Sequence, residues 1–141
     1  MSQTNAIILR VKADRAREFE RLFKKHQYPN WVKHHKRGGM LAASLTRVEY
    51  GVEEEDAKQG SYVNYIVFAK LTGMRAHTAH DNDPDFKAWD EMAEQFQVEG
   101  PSVWGGKTIL EIGADWTSGP RAGRRLGRPH ERRALKAKLL H

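Results

Sequence analysis

Alternation of apolar and polar positions opens the chain. Between Asn5 and Lys12, Ile7, Leu9 and Val11 alternate with Ala6, Ile8 and Arg10, which predicts a strand with at least one fully apolar face. The spacing then becomes helical, with Ala16, Phe19, Leu22 and Phe23 following Asp14, a residue suited to capping a helix. Pro29 is expected to interrupt this helix after Tyr28, with a further short turn over residues 30–36 ended by Gly38-Gly39. Period two returns from Met40 to Tyr50: Ala42, Ser44, Thr46, Val48 and Tyr50 share one side, and Leu41, Ala43, Leu45, Arg47 and Glu49 the other. The acidic, Gly-bounded run GVEEEDAKQG (51–60) reads as a solvated hairpin loop. Residues 61–71, SYVNYIVFAKL, are rich in Tyr, Val, Ile and Phe and make the strongest strand prediction. GMRAHTAHDND (73–83) is consistent with either a short helix or an ordered loop. Asp83-Pro84-Asp85 then starts a helix whose buried stripe is Phe86, Trp89, Met92, Ala93 and Phe96. A last strand is predicted over 106–113, GKTILEIG. No repeat at a solenoid period is present.

The resulting order is β-α-β-β-α-β, the ferredoxin-like arrangement of the α+β class. Two helices cover one face of a four-stranded antiparallel sheet. The other face carries enough apolar and aromatic side chains that leaving it in water would be costly, so a homodimer paired through the open sheet face is expected.

Composition refines this picture at three points. The chain of 141 residues suits one domain, placed at residues 1–116, followed by an arm over 117–141 that is expected to be partly helical. There are no cysteines, which removes disulfides, thiolate metal sites and cysteine nucleophiles together. The net charge of +6 suggests a nucleic-acid binder until it is located. Residues 117–141 hold eight Lys/Arg and one Glu, so the rest of the chain carries −1 and presents no broad phosphate-binding face. Without interleaved aromatics the basic arm does not favour nucleic acid, although its charge leaves that partner open. The sequence has no 18-residue apolar run and no signal-peptide pattern, so no membrane partner and a cytoplasmic location are expected.

Few residues carry candidate chemistry. Asn64 interrupts an apolar strand, where its amide is either satisfied structurally or used to polarise a ligand carbonyl or stabilise an anion. Tyr62 shares its side of the strand, while Tyr65 points the other way. His77 is the candidate general base. His77 and His80 at i, i+3 with a nearby aspartate have the spacing of a metal site, but Asp83 and Asp85 are already accounted for by the helix start, and no metal is assigned. His26 extends the first apolar stripe, and KHHKR (33–37) fits a helix C-terminus or an anion site. Trp31, Trp89 and Trp104 are core or dimer-interface anchors, Trp89 being placed to line a pocket as well.

Over about residues 5–113 the chain resembles the dimeric α/β-barrel superfamily, most nearly its antibiotic-biosynthesis-monooxygenase-like branch. The likeness rests on the layout and on Ala76-His77 followed by Asp83-Pro84-Asp85-Phe86-Lys87-Ala88-Trp89, similar to the family's Ala-His, spacer and Ser-Pro-x-Phe helix start; the spacer is longer here and contains His80. The resemblance implies a pocket between the sheet and its helices that holds a flat aromatic or polyketide-like molecule. The family's cofactor-free oxygenases keep an asparagine and a tryptophan four residues apart on the third strand; this chain has Asn64 and Phe68. The implied site is therefore Asn64, His77 and Tyr62 for chemistry, with Phe68 and Trp89 against the substrate and no cofactor. Two alternatives stay open: a non-catalytic small-molecule binder, and a haem-binding relative with its axial ligand among His77, His80 and His34.

Overall fold

The computed structural model describes residues 2–113; the basic arm over 117–141 lies outside them. Four strands form one antiparallel sheet in the order β2-β3-β1-β4, with β1 at Gln3–Lys12, β2 at Met40–Arg47, β3 at Tyr62–Leu71 and β4 at Ser102–Lys107. In the register Leu9 lies opposite Tyr65, Arg10 opposite Asn64 and Ala6 opposite both Phe68 and Trp104. Pairing residues share a face, so Ile7, Leu9, Val11, Val63, Tyr65, Val67 and Leu71 form one side. These residues join Phe19, Phe23, Trp31, Trp89, Ala93 and Phe96 from the helices in one core. The second face carries Thr4, Ala6, Ile8, Arg10, Tyr62, Asn64, Ile66, Phe68, Lys70 and Trp104.

The predicted β-α-β-β-α-β order is present, with both helical connections more elaborate than the pattern implied. The first helix is not broken at Pro29. A 3₁₀ turn at Ala13–Arg15 leads into α1 (Ala16–Leu22), a π-helical turn at Phe23–Gln27 and then α2 (Tyr28–Lys36). Proline lacks an N–H and its ring crowds the carbonyl four residues earlier; the wider turn just before Pro29 accommodates both, and the chain continues as helix. Asp14 lies within the 3₁₀ turn, and its side chain caps nothing. The acidic loop is also part helix. β2 ends at Arg47 rather than Tyr50, and α3 (Glu54–Gln59) buries Ala57, the one small apolar residue within that run. The mixed stretch after β3 forms α4 (Met74–Asp81).

The second predicted helix start holds in detail. α5 (Pro84–Glu94) has Pro84 in its first turn, and the Asp83 carboxylate accepts a 2.9 Å hydrogen bond from the Asp85 backbone N–H. The last strand does not hold in position. β4 lies at Ser102–Lys107, and most of the predicted GKTILEIG segment follows it, with Ile109, Leu110 and Ile112 almost fully exposed. Backbone pairing with β1 selects SVWGGK instead, in which Gly105 allows close approach: a Cβ there would fall 2.5 Å from Asn5 Oδ1.

Candidate functional site

A cluster of polar side chains lies at one end of the open sheet face, where the ladder brings Arg10 opposite Asn64. Arg10 donates to both oxygens of Glu53, Nη2 to Oε1 at 2.8 Å and Nε to Oε2 at 3.1 Å. It also donates to Ser102 Oγ at 3.1 Å and pairs with Glu99 at 3.1 Å. Glu53 reaches the sheet because α3 folds back over its end. Arg10 hydrogen bonding holds the Glu53 carboxyl below the usual range against the opposing effect of burial, with a further contribution from the Asn64 amide. A carboxylate only accepts, so the amide turns its NH₂ towards Glu53. Its oxygen is left over. Asn64 is buried, and Oδ1 has no hydrogen-bond partner. Such a group costs about 1–3 kcal/mol until something donates to it.

Tyr62 stands two residues before Asn64 on the same face, its ring packed over Gly60, where a Cβ would fall 2.7 Å from the ring. Desolvation, then the Glu53 carboxylate, raises the Tyr62 phenol above its usual value. The ring forms one wall of a cleft of about 400 Å³ lined also by Val48, Glu54, Ala57 and Val63. Val48 N–H donates to the Asn64 backbone carbonyl at 2.9 Å, which ties the chain after β2 to β3 at the cleft; the Asn64 side chain is not among the cleft's lining residues. Tyr65, as expected, points away into the core. Its hydroxyl donates to Glu20, and burial followed by that carboxylate raises it strongly.

The remaining sequence candidates do not gather here. Phe68 lies on the same face as Asn64, further along β3. Trp89 lies on the opposite side of the sheet, in the helical layer against Phe19 and Phe23, so it cannot line one pocket with Asn64 and Phe68. There it borders a different cleft, of about 380 Å³, together with His26, Asn30 and Lys33. His77, on α4, bonds through Nδ1 to Gln3 Oε1 at 3.1 Å and through Nε2 to Asp81 at 2.9 Å. Gln3 pairs with Leu71, seven residues along β3 from Asn64, which puts His77 at the far end of the sheet, roughly 23 Å away. His77 is therefore no base for chemistry at Asn64 within one chain. Sequence reading missed Arg10 and Glu53; a lone arginine in the first strand's alternation was the available signal, whereas the contact with Glu53 depends on α3.

Two of the three histidines considered as haem ligands, His34 and His80, do not fit that role. His34 Nε2 is bonded to Asp83 at 2.9 Å, His80 is engaged through both ring nitrogens by Gln27 and Asp81, and both residues are buried. Among the described residues no group of three or more His, Asp or Glu side chains is arranged to hold a metal ion. No helix among them is long and apolar enough to cross a membrane.

Comparison with known proteins shows the fold. A candidate antibiotic biosynthesis monooxygenase from Caulobacter crescentus superposes with a TM-score of 0.63 at 20% identity, over 77% of this chain and 91% of that one. The chain has the ferredoxin-like fold of the antibiotic-biosynthesis-monooxygenase-like proteins. Two further monooxygenase-like or ferredoxin-like structures agree. A dimeric ferredoxin-like protein from an uncultured marine organism matches with a TM-score of 0.62 at 9% identity, over 79% of this chain and 90% of that one. SnoaB, a cofactor-independent oxygenase from Streptomyces nogalater whose structure is that of an asparagine-to-alanine variant, matches with a TM-score of 0.55 at 12% identity, over 79% and 96%. No family model and no curated protein matches the sequence.

Proposed function

We propose that the protein is a cofactor-independent monooxygenase-like protein that takes a small hydroxylated aromatic or polyketide-like compound at the Asn64 end of the open sheet face. The observation that carries this reading is the buried Asn64 Oδ1 without a donor, two residues along β3 from Tyr62, whose ring lines the 400 Å³ cleft. A phenol or quinol O–H supplies the missing donor. Oδ1 only accepts and so holds the hydroxyl in its neutral form, and Arg10 is already paired with Glu53 and Glu99; the hydroxyl proton therefore passes to solvent water, and the anion so formed reacts with O₂. This reverses the role expected of Asn64, whose oxygen rather than its NH₂ is free. The direct test is O₂ consumption with polyhydroxylated aromatics: Asn64→Ala, which removes one hydrogen bond to the substrate hydroxyl, is expected to lower turnover by roughly 10-fold. Unchanged turnover in that variant removes Asn64 from the chemistry.

The second reading, a non-catalytic binder on the same scaffold, is favoured by one feature. Among the described residues no histidine held by a carboxylate lies near Asn64, and Glu53, tied to Arg10, is a poor base. A ligand that stays bound and unconsumed under air would select it.

In both readings the open face is completed by a second copy of the chain. Trp104 is well exposed on that face, and Ile109, Leu110 and Ile112 follow it in the same state. Native mass spectrometry is expected to give twice the 16.2 kDa chain mass; a monomer would leave this apolar surface without its proposed partner.

A further inference from the structure

The proposed site leaves unused a set of buried polar side chains on the other side of the sheet. Gln27, Asn30, His34 and His80 are each less than a tenth exposed, and they join the π-helical turn, α2 and α4. Their hydrogen bonds have a readable direction. Asp81 Oδ1 lies 3.2 Å from His80 Nδ1, and a carboxylate only accepts, so Nδ1 carries the proton. A neutral His80 then has a lone pair on Nε2, and this faces Gln27 Nε2 at 3.2 Å, an amide nitrogen that only donates. The Gln27 oxygen in turn accepts from Asn30 Nδ2 at 3.3 Å. With the amides in these orientations, each donor meets an acceptor when His80 is neutral.

We infer that His80 is a proton-operated latch between α2 and α4–α5, closed when the imidazole is neutral and opened when it is charged. A proton on Nε2 sets N–H against the Gln27 NH₂. Turning the Gln27 amide to accept it sets that NH₂ against Asn30, so one proton breaks or reverses two buried bonds. The surroundings oppose the charge on most sides. On its own helix, Asp81 favours the imidazolium but is shared with His77 Nε2 at 2.9 Å. From α2, the His34 ring stands 5.2 Å away, edge to face. From the start of α5, Phe86 packs at 4.4 Å, and Asp83 is already engaged by His34 and by Lys33, which also holds Asp85. Burial accordingly lowers the His80 pKa, with Asp81 opposing. The latch is therefore closed at neutral pH and opens on acidification below the ordinary histidine value of about 6.5. Asn30, the last link, also lines the 380 Å³ cleft bordered by Trp89, so opening the latch frees part of that cleft's wall.

The test is NMR on the full-length chain at pH 7.5 and 5.0, reading exchange of the Gln27 and Asn30 side-chain amides and of the α4 backbone, corrected for the intrinsic pH dependence of exchange. Protection is expected to fall at least ten-fold at pH 5.0. His80→Gln, which can donate to Asp81 and accept from Gln27 without titrating, is expected to keep its protection, and His77→Gln is expected to keep the wild-type response. Equal wild-type protection at both pH values, an undiminished response in His80→Gln, or loss of the response in His77→Gln would each overturn the latch. Should His80→Gln fail to fold, the wild-type ring decides: Nδ1–H with bare Nε2 at pH 7.5 supports the proposal, and Nε2–H at that pH sinks it. None of these readouts depends on a ligand at Asn64.

Discussion

Replacing Phe19 with alanine is expected to cost about 3–5 kcal/mol of stability, the range for removing a fully buried aromatic ring. Phe19 is completely buried and is the ring around which the others are arranged: Tyr65 at 5.1 Å, Phe23 and Trp89 at 5.9 Å and Phe96 at 6.0 Å between centroids. These neighbours come from β3, the π-helical turn, α5 and the segment after it, so they cannot close the void by a shift of one element. Edge-to-face and tilted contacts with four rings are lost together with the buried area. Urea denaturation monitored by circular dichroism should show the midpoint falling with little change in slope. A loss below about 1 kcal/mol would mean that the core repacks and that Phe19 is not its organising ring.

Asp83→Ala should be nearly as severe, at about 3 kcal/mol, for a different reason. The carboxylate caps α5 through the Asp85 N–H, pairs with Lys33 at 2.6 Å and bonds to His34 Nε2 at 2.9 Å, with both Asp83 and His34 largely buried. Alanine removes the cap and leaves the buried His34 donor facing a hole, while Lys33 keeps only Asp85. Asp83→Asn keeps an acceptor for the cap but loses the charge, so about half the effect is expected. The same carboxylate predicts a pH dependence. The Lys33 hydrogen bond, opposed by burial and aided by the Asp85 N–H and His34, lowers Asp83 to about 2 from 3.8. A depressed carboxylate stabilises the fold fully above its unfolded value and loses that contribution as pH falls through the folded one. Wild-type stability should therefore drop between about pH 4 and 2, and the drop should shrink in Asp83→Asn. An equally steep decline in the variant would assign it to other carboxylates.

Period and punctuation carried much of this fold. The alternation of Ile7, Leu9 and Val11 and the Asp83-Pro84-Asp85 start are local signals, and local physics decides them. Where a tertiary partner decides, local pattern misled. Pro29 reads as a helix end unless the preceding turn can widen. GVEEEDAKQG reads as solvent-facing unless Ala57 finds a wall to pack on. GKTILEIG reads as the last strand until pairing with β1 selects SVWGGK. The candidate site shows the same division. That Asn64 and Tyr62 share a face followed from the period of a strand, but their distance from His77 depends on register, and the sidedness of Trp89 on which face the helices cover.

One consequence of the Glu53–Asn64 contact concerns how such a site diverges. The hydrogen-bonding sense offered to a ligand is set from outside the sheet, by a residue in the turn before α3, where sequence change is tolerated more readily than in a core strand. Glutamine in place of Glu53 both donates and accepts, so the Asn64 amide would be free to turn over and present NH₂ instead of oxygen. A single exchange of carboxylate for amide in that turn would thus redirect the scaffold from ligands that offer a hydroxyl proton towards ligands that offer a carbonyl, with every strand residue left in place.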